Sequence, residues 1–340
     1  MRILFVTDAW EPQINGVVRT MQHLIAALQP LGVHCSLLTP NAFRSVALPT
    51  YGDIRLAMTR PNTVARAVRD AQPDHVHVVT EGPLGVMARR ACLRQGRAFT
   101  TSYHTRFPEY LRARLPVPES WSYAWLRRFH NAAEATLAAT PSLMAELTGR
   151  GFTRIAPWGR GVDLERFHPD KHVDLGLPRP IFLCVGRVAV EKNIPAFLDL
   201  DLPGTKLVVG GGPDLDMLKA RYPDAVFAGP AQGEALARFY ASSDVFVFPS
   251  RTDTFGLVIL EALASGLPVA AYPVMGPINI LADGGGAMDA DLAAACRRAL
   301  DIPGADARLH AEKFRWEKCA EMFLRAIEPT PAGSAPPLLR

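Results

Sequence analysis

Short, largely apolar runs recur along this chain, and the stretches between them carry apolar residues at helical spacing. Runs at 2–7, 34–39, 54–58, 75–79, 98–103 and 136–140 have the β-branched and aromatic texture of strands buried on both faces. Helical patterns stand at 17–31, 61–71 and 84–95, with another ending near 150. A second series follows, with strands at 181–185, 206–209, 225–228, 244–248 and 268–272 and helices at 234–241, 256–265 and 307–327. Strands alternating with helices predict a parallel, doubly wound α/β sheet. Pro169, Pro178 and Pro180 cluster between the two series, and 340 residues exceed one ordinary core. Two domains are therefore expected, 1–168 and 179–327, with a disordered tail at 328–340.

The stretch 244–272 is the densest in chemistry. A strand runs into Pro249-Ser-Arg-Thr-Asp253, and a helix from Gly256 to Ser265 follows, with Thr252 or Thr254 as its cap and Gly266 as its stop. That helix is apolar on every side except at Glu261. A lone buried carboxylate is costly unless it is paired or hydrogen-bonded. Either a neighbouring Arg holds Glu261, or it accepts hydrogen bonds from ligand hydroxyls, with Asp253 as a second carboxylate at the helix mouth. The amides of Phe255, Gly256 and Leu257 would then offer the positive end of the helix to a phosphate.

Ligands in doubly wound sheets sit beyond the carboxyl ends of strands. Three loops of the first domain are placed there: Asn15-Gly16 before the first helix, Glu81 in Thr80-Glu-Gly-Pro-Leu-Gly85, and His104 in Thr101-Ser-Tyr-His104. His75 and His77, by contrast, read as ordinary strand histidines. In the second domain the loop Gly186-Arg-Val-Ala-Val-Glu-Lys-Asn193 follows a strand and carries Arg187 and Lys192, two cations suited to a diphosphate.

Asp253 and Glu261 are separated by seven residues, and the stretch resembles the acidic-x7-Glu signature of retaining GT-B glycosyltransferases of the family 4 type. The Gly186–Asn193 loop is similar to that family's Gly-Arg-x3-Glu-Lys signature, and 161–169 is similar to its Gly-Val-Asp-x3-Phe-x-Pro linker. The resemblance covers almost the whole chain. It implies two Rossmann-like domains facing across a cleft, with acceptor on the first and donor on the second, and a C-terminal helix that crosses back. It implies that Asp253, which stands where members usually carry Glu, holds donor-sugar hydroxyls, that Glu261 holds the ribose, and that Gly16 lies against the donor. It also implies that His104 sits near the donor sugar and that Arg187 and Lys192 carry the leaving diphosphate, making His104, Arg187, Lys192 and Asp253 the expected catalytic set. The motifs around Glu81 and His104 resemble those of bacterial lipid glycosyltransferases, of the diacylglycerol and sulfoquinovosyl type, and of lipid mannosyltransferases.

Charge sharpens the expected acceptor. Residues 1–170 hold 20 Arg and no Lys against 13 acidic residues, a net +7, and the remainder holds 17 basic against 20 acidic, a net −3. The first half is thus suited to an anionic surface. Between 106 and 128, Arg106, Arg112, Arg114, Arg127 and Arg128 interleave with Tyr110, Trp121, Tyr123 and Trp125. That pattern suits a membrane interface, or else a face with rings inward and arginines merely solvated. Glu81, Arg106 and Tyr110 are the candidate acceptor contacts.

The five cysteines lie at 35, 92, 184, 296 and 319 without metal-ligand or disulfide spacing, which fits reduced thiols in a cytoplasm. No run reaches the roughly 20 apolar residues of a membrane span. The expected location is cytoplasmic, peripheral to the inner face of a membrane. Asp-x-Asp occurs at 199–201 and 214–216, but in helix-like or loop text, so neither a metal nor another cofactor is expected, and nucleic acid is not an expected partner.

The expected reaction transfers a sugar from a nucleotide diphosphate, a UDP-sugar first, to a hydroxyl of a lipid such as diacylglycerol. A GDP-mannose-dependent α-mannosyltransferase with a soluble or phosphoinositol acceptor is the alternative enzyme. A non-catalytic sugar-nucleotide-binding protein would need Arg187, Lys192 and Glu261 but neither Asp253 nor His104. The missing Gly-x-Gly-x-x-Gly counts against a NAD-dependent oxidoreductase.

Overall fold

The computed structural model describes residues 1–13, 15–48, 51–104, 108, 112, 118–253 and 255–328. Its strands in chain order are β1 (Arg2–Val6), β2 (His34–Leu38), β3 (Ser45–Leu48), β4 (Tyr51–Ala57), β5 (His75–Val78), β6 (Phe99–Tyr103), β7 (Thr136–Ala138) and β8 (Ile155–Pro157) in the first half. The second half adds β9 (Ile181–Val185), β10 (Thr205–Val209), β11 (Val226–Gly229), β12 (Val245–Phe248), β13 (Val269–Ala271) and β14 (Gly286–Met288). Two six-stranded parallel sheets result, ordered β2-β1-β5-β6-β7-β8 and β11-β10-β9-β12-β13-β14. The fold is GT-B, two doubly wound α/β domains. Each order reverses once, between β1 and β5 and between β9 and β12, and those reversals open the crevices where such sheets hold ligands.

The described helices are α1 (Gly16–Leu28), α2 (Pro61–Asp70), α3 (Pro83–Arg94), α4 (Glu119–His130) and α5 (Pro141–Gly149), then α6 (Ile194–Leu198), α7 (Leu215–Arg221) and α8 (Gly233–Ala241). After them come α9 (Leu257–Ala264), α10 (Met275–Leu281), α11 (Leu292–Leu300), α12 (Gly304–Ala311) and α13 (Trp316–Ile327). Leu4, Val6, Val76 and Val78 of the first sheet pack against α2, α3 and α4 on one face. On the other face, Ile3 and Phe5 pack with Met21, Leu24 and Leu28 of α1 and with Ala320, Phe323 and Ile327 of α13. The last described helix is thus part of the first sheet's core. Its first residue, Trp316, stacks on His23 of α1 with ring centroids 5.0 Å apart.

Two expectations need correcting, and two short strands were missed. The run at 54–58 does not join the parallel sheet: β4 pairs antiparallel with β3 in a separate two-stranded sheet. The two runs are too close in sequence for the crossover that parallel pairing requires. The expected helix 307–327 is two helices, broken where the Phe314 carbonyl accepts from the amide of Val162 in the linker. The three-residue strands β8 and β14 went unforeseen because Pro157 and Gly286 mask so short a pattern. The tail 329–340 lies outside the described residues.

The linker is held to the second domain by Arg308 of α12. Its guanidinium donates to the carbonyls of Leu164, Phe167 and Ala264 at 2.6–3.1 Å. The second core lies beneath, where Ile259, Leu260 and Leu263 of α9 pack with Leu236 and Tyr240 of α8 and with Ala307 and Ala311 of α12.

The apolar face of the first sheet also buries His75 and His77, as ordinary strand histidines. The ring of His77 bonds Thr100 and Ser102 at 2.8 Å, and His75 bonds Thr100 at 2.7 Å. Burial pushes His75 down from its ordinary 6.5 to about 4 and His77 well below 6.5. Both rings are neutral when folded and take up protons on unfolding, so their contribution is complete above pH 6.5 and is lost as pH falls towards 4. For His75 the loss is roughly 3 kcal/mol. Denaturant melts from pH 7 to 4 should show stability falling with pH, and His75→Asn should flatten that fall. An unaltered pH profile in the variant would contradict the assignment.

Candidate active site

The second domain builds its half of the site from strand ends at the β9/β12 reversal. β9 opens into Gly186 and Arg187, and Asn193, in the left-handed conformation (φ 53°), donates from its side chain to the Pro249 carbonyl at 3.0 Å. That bond stitches the loop after β9 to the loop after β12. Across the same seam, the Lys192 ammonium donates to both carboxylate oxygens of Asp253, at 2.7 and 2.9 Å. The turn Gly210-Gly-Gly212 explains itself here. A Cβ on Gly210 would lie 1.8 Å from the Gly186 carbonyl oxygen, and one on Gly212 would lie 2.2 Å from that of Val188. Only glycine lets the turn after β10 lie flush against the backbone that carries Arg187.

Helix α9 starts later than its sequence signals predict. Its cap is neither threonine: Gly256 holds the position, left-handed at φ 96°, and has no side chain to cap with. Thr252 instead points its hydroxyl at the Glu191 carbonyl, and Thr254 lies outside the described residues. Gly266 ends the helix as expected, left-handed at φ 72°. The uncapped first turn of α9 leaves the backbone around Gly256 and Leu257 as a positive edge, with Phe255 buried beneath it.

Glu261 is buried, and burial pushes its carboxyl above the ordinary value, opposed by Arg19 and Tyr240. Arg19 Nη1 donates to Oε1 at 3.0 Å, and the Tyr240 hydroxyl donates to Oε2 at 2.9 Å. A neighbouring Arg does hold this carboxylate, and it comes from α1 of the opposite domain. Burial and the charge of Glu261 push the Tyr240 phenol up, so it stays a donor.

In the first domain, Asn15 caps α1, its side-chain oxygen accepting from the amides of Val17 and Val18 at 3.0 Å. Gly16 then faces α9: a Cβ there would meet Leu257 at 3.7 Å. Asp8, at the end of β1, is the hidden organiser of the Thr80–Gly85 turn. Its carboxylate accepts from the Thr80 hydroxyl at 2.9 Å and from the amides of Leu84 and Gly85 at 2.8 and 3.2 Å. Burial pushes its carboxyl up, and the two amides pull it back. A Cβ on Gly82 would lie 2.4 Å from that carboxyl group, so the turn tolerates only glycine at this point. Glu81 leaves the turn to accept from His130 Nε2 at 3.1 Å, while His130 Nδ1 bonds Thr101 at 2.9 Å.

His104 ends β6 beside Arg160. The guanidinium donates to His104 Nδ1 at 3.2 Å, and also to the carbonyls of Trp158 and Gly159. Burial, then the charge of Arg160, holds His104 well below its ordinary value, so the ring is neutral with its proton on Nε2. Arg106 and Tyr110, expected acceptor contacts, lie outside the described residues.

The structure therefore assembles Lys192, Asp253 and Glu261 around α9 and sets Gly16 against Leu257. It puts His104 and Glu81 on the facing strand ends of the first domain. Sequence reasoning missed Arg19, Tyr240, Asp8, His130 and Arg160. Only Arg160 carried a signal, since it stands immediately before the linker motif. Among the described residues, no group of three or more His, Cys, Asp or Glu is placed to hold a metal ion.

Comparison with known proteins agrees with the two-sheet α/β fold and places the chain among glycosyltransferases. The model described as Glycosyltransferase Family 4 matches residues 14–166, and that described as Glycosyl transferases group 1 matches residues 179–301. A GDP-mannose-dependent alpha-mannosyltransferase of Mycobacterium tuberculosis is 32% identical over 307 residues, spanning 83% of this chain and 81% of its own. The sulfoquinovosyl transferase SQD2 of Arabidopsis thaliana is 30% identical over 316 residues, 82% of this chain and 60% of its own. Among solved structures, sucrose-phosphate synthase from Thermosynechococcus elongatus shares the fold with a TM-score of 0.72, at 22% identity over 95% of this chain and 97% of that one.

Lys192→Ala removes a cation from the cleft and leaves Asp253 without its partner. Loss of one charge-assisted hydrogen bond to a bound diphosphate is worth roughly 1.5–3 kcal/mol, about ten- to a hundredfold in affinity. Calorimetric titration with a nucleoside diphosphate should read that loss, and unchanged affinity would remove Lys192 from the site.

Proposed function

We propose, from the premise that this chain belongs to glycosyltransferase family 4 and is a glycosyltransferase, that it moves a hexose from a nucleoside diphosphate to a hydroxyl of a membrane lipid. The observation that carries the reading is the cation and carboxylate set around α9: Lys192 on Asp253, and Glu261 buried between Arg19 and Tyr240. In this reading the C1–O bond to the diphosphate breaks as a bond forms from C1 to the acceptor oxygen. Charge accumulates on the leaving diphosphate, where Arg187, Lys192 and the first amides of α9 meet it. The Lys192 ammonium, held in place by two hydrogen bonds to Asp253, brings its positive charge to that diphosphate. Asp253 keeps lone pairs for sugar hydroxyls, His104 stands at the strand end that faces the donor sugar, and the acceptor's proton leaves with the diphosphate.

For the donor, the mannosyltransferase relative supports GDP-mannose. The motifs around Glu81 and His104 support a UDP-sugar and remain the second reading. The protein should be incubated with GDP-mannose and a panel of UDP-hexoses, with a lipid extract as acceptor. The expected outcome is transfer with the donor's anomeric configuration retained and with activity persisting in EDTA, since Arg187, Lys192 and the α9 amides supply the positive charge. An inverted product by proton NMR, or activity abolished by chelation, would contradict the mechanism. Binding without turnover would favour a sugar-nucleotide-binding protein.

The lipid acceptor is supported by the outer face of α4. Tyr123, Leu126 and Phe129 turn inward, and Arg150 lies over the Tyr123 ring at 3.7 Å. Trp121 and Trp125 turn outward, 72% and 47% exposed, and with the exposed Arg128 they are spaced i, i+4, i+7 on one face. Arg112 and Arg127 are exposed nearby in sequence, although Arg112 pairs with Glu119 at 2.9 Å. Two rings at headgroup depth and cations worth about 1 kcal/mol each suit reversible docking on an anionic bilayer. No described helix is long and apolar enough to cross a membrane. Sedimentation with phosphatidylglycerol vesicles should pellet the wild type at low salt, and should fail for a variant with Trp121, Trp125, Arg127 and Arg128 all changed to Ser. Equal pelleting of both would turn the proposal towards a soluble acceptor.

A further inference from the structure

We infer that Arg19 is a positioning residue for the donor's ribose, supplied across the cleft by the first domain. The inference rests on the reading of Glu261 as the ribose-binding carboxylate. A carboxylate presents about four lone-pair sites, two on each oxygen. Arg19 occupies one on Oε1 and Tyr240 one on Oε2. One site remains on each oxygen, and a vicinal diol of ribose can fill two such sites with two donated hydrogen bonds.

Ionisation matters as much as orientation, because a protonated carboxyl carries its own O–H and loses acceptor capacity. Glu261 stands in a helix otherwise made of Leu, Val, Ile and Ala, an environment that favours the neutral form. Arg19 is the cation in contact with it, and Arg166 of the linker acts from farther away.

Among the described residues, Arg19 has no comparable duty within its own domain. Asn15 caps α1, and Val18, Met21, Leu24 and Leu28 bury its apolar face. Arg19 lies off that stripe with its side chain 29% exposed, and the partner it reaches is 242 residues away. The ribose site is therefore complete only when the two domains are together, which couples recognition of the nucleotide to the closeness of the domains.

The test is calorimetric titration of the full chain with GDP and 2′-deoxy-GDP, and with UDP and 2′-deoxy-UDP. Wild type, Arg19→Met and Arg19→Gln are compared. The wild type should prefer one ribonucleotide over its deoxy analogue by roughly tenfold or more, the worth of a charge-assisted hydrogen bond. Both variants should still bind through the diphosphate and should lose most of that preference. A change that merely loosened the fold would weaken ribo and deoxy forms alike. An undiminished preference in either folded variant overturns the role of Arg19, as does loss of all binding, which would mean that Arg19 holds the nucleotide itself. A wild type that binds without preferring the ribose removes Glu261 from that role and the inference with it.

Discussion

A single carboxylate inside an apolar helix sets much of the rest. Glu261 cannot stay charged in the core of the second domain unaided, because removing a carboxylate from water costs far more than local packing returns. Tyr240 answers from α8 and Arg19 from α1 of the other domain. The position of α8, the depth of α9 in its core and the approach of α1 to the second domain are all bound to that arrangement. Replacing such a buried trio with well-packed apolar side chains is often neutral or stabilising, so its presence fits the proposed ligand role better than a stabilising one.

The first domain uses the same device in a milder form. Asp8 is buried at the end of β1, and its partners are the amides and hydroxyl of the Thr80–Gly85 turn. The carboxylate fixes the start of α3 and thereby the place of Glu81. His104 is fixed by a cation, Arg160, and its ring is kept neutral first by burial and then by that charge. In both domains, charges at strand ends orient the side chains that face the cleft.

How much of this was legible follows from where the determinants lie. Loops that are contiguous in sequence, such as Gly186–Asn193 and Asp253–Glu261, declare themselves, because strand, turn and helix follow one another within a few residues. The alternation that predicts two parallel sheets is equally local. Arg19 could not be read, since its partner is 242 residues away and its own helix looks complete without it. Tyr240 sits in the apolar stripe of α8 beside Leu236 and Ala237, so it reads as packing until its hydroxyl is seen. The faces of α4 were ambiguous for a different reason. Aromatic residues occupy both sides of that helix, and only the packing of Tyr123 beneath Arg150 shows which rings are left outside.

A crystal structure with GDP or UDP soaked into the cleft tests the central claim most directly. The account predicts the diphosphate beside Arg187, Lys192 and the first turn of α9, and both ribose hydroxyls on Glu261 with Arg19 and Tyr240 still in place. A nucleotide bound elsewhere, or one whose ribose lies away from Glu261, would contradict it.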